Sequence, residues 1–105
     1  MATNRIDILK QMLAQDDSNS FARYGLAMEY AKSGDLEQAI DEYSELIRRD
    51  STYVAAYFHA GQAYEKLGRV EDARAVYERG IEAAIAKGDA HTKAELEGAL
   101  MLLPI

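Results

Sequence analysis

The side chains that most often carry out chemistry are few in this sequence and are not spaced for it. The two histidines, His59 and His91, have no second histidine or cysteine at the spacing of metal ligands. Cysteine is absent, which removes disulfides, thiolate metal sites and cysteine nucleophiles. No glycine-rich phosphate loop, serine nucleophile elbow or HExxH motif occurs. The sequence therefore predicts a protein that is not an enzyme and has no metal site or cofactor.

Paired acidic residues are the remaining candidates for acid–base chemistry. Asp16 and Asp17 fall in a predicted turn, and Glu71 and Asp72 fall at the predicted start of a helix. Carboxylates in such places cap helices and interact favourably with the positive end of the helix dipole. We therefore interpret both pairs as structural.

Composition and charge narrow the possible partners. The chain has 105 residues, about the length of one domain, and its 18 acidic and 12 basic side chains give a net charge of −6. Binding to nucleic acid or anionic lipid needs clustered lysine and arginine, so neither is expected. Segment 1–15 lacks the unbroken apolar core of a signal peptide, and the longest apolar run, 99–105, is too short to span a bilayer. The sequence predicts a cytoplasmic protein with no membrane partner.

A repeat of 34 residues organises the chain. The register holds from residue 20 to residue 87 without a gap. Each unit is predicted to form two helices separated by a glycine, because glycine closes a helix in the left-handed conformation at no steric cost. The most constrained matches are Tyr30 with Tyr64, Gly34 with Gly68, Ala39 with Ala73 and Tyr43 with Tyr77.

Another helix is predicted on each side of the two units, because apolar residues recur at helical spacing in 4–15 and 89–103. Asp35 and Asp89 are predicted helix caps, and Ser51 and Thr52 are suited to cap the first helix of the second unit. The expected fold is all-α, with about six antiparallel helices in a single domain. Its parts are a lone N-terminal helix at 4–15, repeats at 20–53 and 54–87, and a C-terminal capping helix at 89–103.

This pattern resembles the tetratricopeptide repeat (TPR) family, and in particular its small stand-alone bacterial members. In the family's unit the eighth position is small, the eleventh is often Tyr, the fifteenth is Gly, the twentieth is Ala and the twenty-fourth is aromatic. Both units match at all five positions. The resemblance implies a right-handed α–α superhelix, or TPR solenoid. It implies these repeat-core residues: Ala27, Tyr30, Gly34, Ala39 and Tyr43, then Gly61, Tyr64, Gly68, Ala73 and Tyr77.

Two departures from the family pattern carry structural expectations. Arg23 stands where the second unit has Tyr57, a position that the family fills with a large apolar residue, and we expect the Arg23 stem to be incompletely buried. Ile85 replaces the proline that usually closes a unit, so the second helix of that unit should run on toward Gly88.

The resemblance also implies a function, namely a protein–protein interaction scaffold in which the first helices of the units line a concave groove. Such a groove suits an extended peptide or a helix, with Tyr24 and Phe58 as its anchors. The same two aromatic residues could instead pack beneath the last helix, if that helix folds across the groove. The predicted groove residues are Phe21, Tyr24, Met28, Lys32, Phe58, Gln62 and Lys66.

Two other possibilities are weighed against this one. Some family members grip a C-terminal carboxylate with one lysine and two asparagines, but the corresponding positions here hold Tyr24, Met28 and His59, which disfavours such a clamp. Self-assembly is the alternative function: the lone first helix and the apolar segment 100–105 could expose surface that a dimer or an end-to-end stack would bury. For that segment we favour the interpretation that it caps the protein's own core.

Overall fold

A computed structural model describes residues 4–105, and within that range the chain forms six α-helices and no β-strand. None of these helices is long and apolar enough to cross a membrane. The helices are α1 (Arg5–Gln15), α2 (Ser20–Lys32), α3 (Leu36–Arg49), α4 (Val54–Lys66), α5 (Val70–Lys87) and α6 (Ala90–Met101).

The glycine that divides each unit has the conformation that the sequence predicts. Gly34 has φ +85° and Gly68 has φ +75°, in the left-handed region that favours glycine. In both turns the amide of the residue after the glycine donates a hydrogen bond to a tyrosine carbonyl of the preceding helix. The amide of Asp35 donates to Tyr30, and the amide of Arg69 donates to Tyr64, each at 2.9 Å. The two turns are thus the same structure repeated, and each reverses the chain into a helical hairpin.

Side-chain caps start some helices but not all. Asp89 caps α6, since its carboxylate accepts from the amide of Thr92 at 3.0 Å and from the Thr92 hydroxyl at 2.8 Å. The prediction that Ser51 and Thr52 cap α4 is wrong, because the residue before that helix is Tyr53 and no side chain caps it. Thr52 instead donates its amide and its hydroxyl to the carboxylate of Asp50, at 3.1 and 2.6 Å. These two hydrogen bonds between Thr52 and Asp50 therefore stabilise the turn before α4.

Helix α5 is longer than its counterpart in the first unit. It spans 18 residues, against 14 for α3, and ends at Lys87 before Gly88, whose φ is +77°. This confirms that the helix continues through Ile85, where the family's usual proline would have stopped it. As a consequence α6 begins at Ala90, two residues later than a strict repeat of α4 would place it.

Successive helices pack against each other, and α4 additionally contacts α2 and α6 across the hairpins. Large aromatic rings fill the core beside small residues: Tyr43 and Tyr77 are almost wholly buried, and the ring of Tyr77 occupies the space where Gly61 lacks a Cβ. Of the residues assigned to the repeat core, Gly34 and Gly68 lie in exposed turns and Tyr64 is half-buried. The others are buried: Ala27, Tyr30, Ala39, Tyr43, Gly61, Ala73 and Tyr77.

Arg23 is incompletely buried, as expected, and its charged end is paired. Its side chain is 12% exposed, and its guanidinium donates to the Glu42 carboxylate at 2.9 Å and to the Asp17 carbonyl at 3.0 Å. The ion pair links α2 to α3 and satisfies the charge where it is largely removed from water. An arginine thus takes the place of an apolar residue without an unpaired charge.

Candidate functional site

The first helices of the two units, α2 and α4, lie side by side and form the walls of a cleft of about 390 Å³. We call it the α2–α4 cleft. A volume of this size is in the range of ligand-binding sites. Its lining residues are Met28, Glu29, Ala31 and Lys32 of α2, Leu36 and Tyr43 of α3, and His59, Gln62, Ala63 and Lys66 of α4.

The structure brings four of the predicted groove residues together in this cleft, namely Met28, Lys32, Gln62 and Lys66. Tyr24 and Phe58 are half-buried and pack against the core next to it. Phe21 is 71% exposed and does not line the cleft.

A cluster of aromatic rings adjoins the cleft. The ring of Tyr24 lies 5.1 Å from that of Tyr53, 5.7 Å from that of His59 and 6.4 Å from that of Tyr43, measured between centroids. These distances are typical of favourable aromatic packing. Neighbours from α3, from the turn before α4 and from α4 itself therefore account for the half-burial of Tyr24.

The last helix leaves the α2–α4 cleft open. Helix α6 packs chiefly along α5, touches α4, and contributes no residue to the lining of the cleft. It continues the series of helices and does not fold across the groove.

One hydroxyl in the floor of the cleft has an unusual partner. Tyr43 is 1% exposed, and its hydroxyl donates to the sulfur of Met28 at 2.9 Å. A thioether is a weak acceptor, so this hydroxyl is satisfied only weakly. Burial, with a smaller contribution from Tyr24, raises the pKa of Tyr43 well above its ordinary value, which keeps the phenol protonated.

The second unit repeats this arrangement with stronger partners. The hydroxyl of Tyr77 accepts from Gln62 Nε2 at 2.8 Å and donates to a carboxylate oxygen of Glu65. A phenol has a single proton, and here it goes to a carboxylate that can only accept, so Gln62 must present its NH₂ group to Tyr77. The amide oxygen of Gln62 has no hydrogen-bond partner among the described residues. Every buried polar side-chain atom in that range has a partner, so this oxygen is accessible to solvent. It is therefore free to accept a hydrogen bond in the cleft.

Sequence reasoning missed two members of the site, His59 and Tyr53. His59 lies three residues before Gln62, a spacing that places both side chains on one face of α4, so helical periodicity could have found it. Burial lowers its pKa, and the charge of Glu95 on α6 opposes the shift. Tyr53 precedes α4 and belongs to no periodic pattern that would have signalled it.

The acidic pairs have structural partners. Asp16 accepts from the amide and the hydroxyl of Ser18, at 3.1 and 2.6 Å, and these bonds lower its pKa. Asp72 pairs with Arg69 at 2.8 Å. Within residues 4–105 no group of three or more histidine, aspartate or glutamate side chains is close enough to hold a metal ion.

Comparison with known proteins identifies the family. The sequence model of the tetratricopeptide repeat matches residues 24–91, which is more than half of the chain. A TPR repeat-containing protein of Pseudomonas aeruginosa is 31% identical over 91 residues, which cover 87% of each sequence. The chain therefore belongs to the tetratricopeptide repeat family, as the resemblance of its repeats indicates.

Solved structures agree with this assignment. A tetratricopeptide repeat domain protein from Salinibacter ruber has a TM-score of 0.77 at 37% identity, over 82% of this chain and 87% of that one. The TPR2B domain of yeast Sti1, in a complex with pHsp70, has a TM-score of 0.86 over 91% of this chain and 77% of that one. At 14% identity the second likeness concerns the fold alone. The all-α helical repeat fold is confirmed.

Proposed function

We propose that the chain is a non-catalytic interaction scaffold that holds an extended peptide or a short helix of another protein in the α2–α4 cleft. The observation that carries the proposal is the composition of the cleft. Ala31, Leu36 and Ala63 give it an apolar floor, and the Gln62 amide oxygen and the Lys32 ammonium group offer polar contacts above that floor. Apolar surface combined with a few polar groups that fix orientation is typical of peptide grooves.

The aromatic cluster beside the cleft supports the same function. Half-buried rings offer contact area that costs little conformational entropy on binding, and the rings of Tyr24 and Phe58 both pack against that of His59, which lines the cleft. The yeast neighbour of the same fold forms a complex with pHsp70. That complex concerns Sti1 and supports only the general mode of action proposed for this chain.

The test is affinity capture from the native lysate with three forms of the protein. Ala31→Glu places a bulky charge on the floor of the cleft and should abolish capture of the partner. Ala75→Glu makes the same substitution on α5, away from the cleft, and should leave capture unchanged. Circular dichroism should show the same helical content in all three forms. If Ala31→Glu captures what the unmodified protein captures, the α2–α4 cleft is not the binding site.

A second candidate function is self-assembly, which exposed apolar residues at the end of α6 favour. Met101 is 85% exposed and Leu102 is 86% exposed. A dimer or an end-to-end stack through the terminal helices would bury them. Light scattering over a range of concentrations distinguishes the two functions. A mass that rises with concentration, and that falls to the monomer mass in Met101→Lys/Leu102→Lys, supports assembly, and a constant monomer mass removes it.

A further inference from the structure

We infer that the α2–α4 cleft selects a peptide segment with an internal aspartate or glutamate, whose carboxylate binds between Lys32 and Lys66 while a neighbouring backbone N–H donates to Gln62. This inference rests on the proposed function and specifies the chemistry of the partner.

Lys32 and Lys66 differ from the other basic side chains of the molecule in their lack of partners. All 12 lysines and arginines lie in the described range, and ten of them contact a carboxylate, a backbone carbonyl or an aromatic ring. Lys32 and Lys66 are the two without any such partner among residues 4–105, and both border the same cleft. In a protein of net charge −6, with acids available elsewhere on its surface, two unpaired cations at one cleft are complementary to an anionic group.

The acidic residue of the cleft itself does not neutralise them. Glu29 lines the cleft, but its carboxylate pairs with Arg5 of α1 at 3.4 Å. Helix α1 thus satisfies the one anionic side chain in the lining. The ammonium groups of Lys32 and Lys66 remain available to a ligand.

The ligand should also offer a hydrogen-bond donor. Gln62 is held by Tyr77 so that its amide oxygen is free, and an oxygen can only accept. An extended peptide has an N–H group at nearly every residue, so a carboxylate side chain and a backbone donor lie close together in it. An inorganic anion or an isolated carboxylate would leave Gln62 unused.

An internal side chain fits better than a chain terminus. A terminal carboxylate held by the family's clamp would lie at the positions of Tyr24, Met28 and His59, and none of these is a lysine or an asparagine. Lys32 and Lys66 are instead at the last turns of α2 and α4, at one end of the cleft. A segment that passes along the cleft can reach them with a side chain.

The test is selection of linear peptides from a random displayed library by the purified protein. The selected peptides are then synthesised, with and without replacement of their acidic residue by the corresponding amide, and affinity is measured by fluorescence anisotropy. Lys32→Gln/Lys66→Gln is compared with Lys10→Gln/Lys93→Gln, which removes the same total charge outside the cleft. Ala31→Glu serves as the variant with a blocked cleft.

We expect selected peptides enriched in aspartate or glutamate. Both the amide replacement and Lys32→Gln/Lys66→Gln should weaken binding about tenfold, and Lys10→Gln/Lys93→Gln should change it less than twofold. Capping the C-terminus of the peptide as an amide should leave its affinity unchanged. A loss of affinity would assign the bound carboxylate to the peptide terminus and overturn the inference.

The failures of the two proposals are distinguishable. Peptides without acidic enrichment that bind equally well to Lys32→Gln/Lys66→Gln, but not to Ala31→Glu, overturn this inference and leave the proposed function intact. An equal loss in Lys10→Gln/Lys93→Gln means that net charge alone attracts the peptides, which also overturns it. Peptides that still bind to Ala31→Glu, or a selection that yields none, overturn both.

Discussion

The hydroxyl of Tyr43 donates to the sulfur of Met28 at 2.9 Å. The residues 34 positions later, Tyr77 and Gln62, also form a hydrogen bond, but with different donor and acceptor groups. There the hydroxyl of Tyr77 accepts from Gln62 and donates to Glu65. The repeat thus preserves the position of a buried phenol beside the groove. What each unit varies is the side chain of the groove helix that the phenol contacts.

These two phenols should contribute unequally to stability. Tyr77→Phe removes a hydroxyl with two good partners and should lower the free energy of unfolding by about 1–2 kcal/mol. Tyr43→Phe removes a hydroxyl bonded only to a thioether and should cost about 0.5 kcal/mol or less. Urea unfolding of the two variants is the measurement, and each serves as the control for the other because both rings are buried. Equal losses would contradict the difference in hydrogen bonding.

Gly61 should not tolerate a methyl group. A Cβ at this position would overlap the Tyr77 ring, which the packed core holds in place, so Gly61→Ala should destabilise by about 1–3 kcal/mol. Gly98→Ala is the matched control, since a Cβ there meets nothing within 4 Å and the residue lies within α6. Helix propensity predicts a gain of up to about 1 kcal/mol for that change. Thermal melts that rank the two variants in the opposite order would contradict the packing of α4 on α5.

The enclosed ion pair should be stronger than an exposed one. A double-mutant cycle on Arg23 and Glu42 should give a coupling energy of about 1.5 kcal/mol, because both side chains are largely shielded from water. The same cycle on Arg69 and Asp72, which are about half exposed, should give a clearly smaller coupling energy. Raising the salt concentration should reduce the second value more than the first.

His59 should make stability sensitive to mild acid. Burial among aromatic rings lowers its pKa below the ordinary value of 6.5, despite the opposing charge of Glu95. The unfolded chain therefore takes up the proton more readily than the folded one, so stability falls as the pH drops below about 6.5. His59→Gln should lose less stability than the unmodified protein between about pH 7 and pH 5 in urea melts. His91→Gln, at a histidine that is 86% exposed, should change this pH dependence less than His59→Gln does.

Local sequence signals were enough to predict the elements of the fold. The glycines at 34 and 68 mark the turns because only the left-handed conformation closes these helices, and Asp89 caps α6 as its type and place predict. The continuation of α5 through Ile85 agrees with the absence of a proline at that position. Each of these depends on residues within a few positions of one another.

The partners of individual side chains could not be predicted in this way. The pairing of Arg23 with Glu42 joins residues that are 19 positions apart. The orientation of the Gln62 amide depends on the hydrogen bond that the Tyr77 hydroxyl donates to Glu65. The prediction of Ser51 and Thr52 as caps failed because Tyr53 directly precedes α4 and the Thr52 hydroxyl donates to Asp50 instead of accepting from a helix amide. The partner of each side chain depends on which groups the folded chain brings together, and the periodicity of the sequence does not indicate these contacts.

The way in which neighbouring helices pack has a consequence for how the molecule opens. Helix α4 is contacted by α2, α3, α5 and α6, whereas α1 is contacted only by α2 among the described helices. In a linear stack, outer elements detach at lower free energy than central ones. Amide hydrogens of α1 should therefore exchange with solvent first, and those of α4 only when the whole chain unfolds. One wall of the cleft is thus anchored at the centre of the stack, and the opposite wall adjoins the end that frays first.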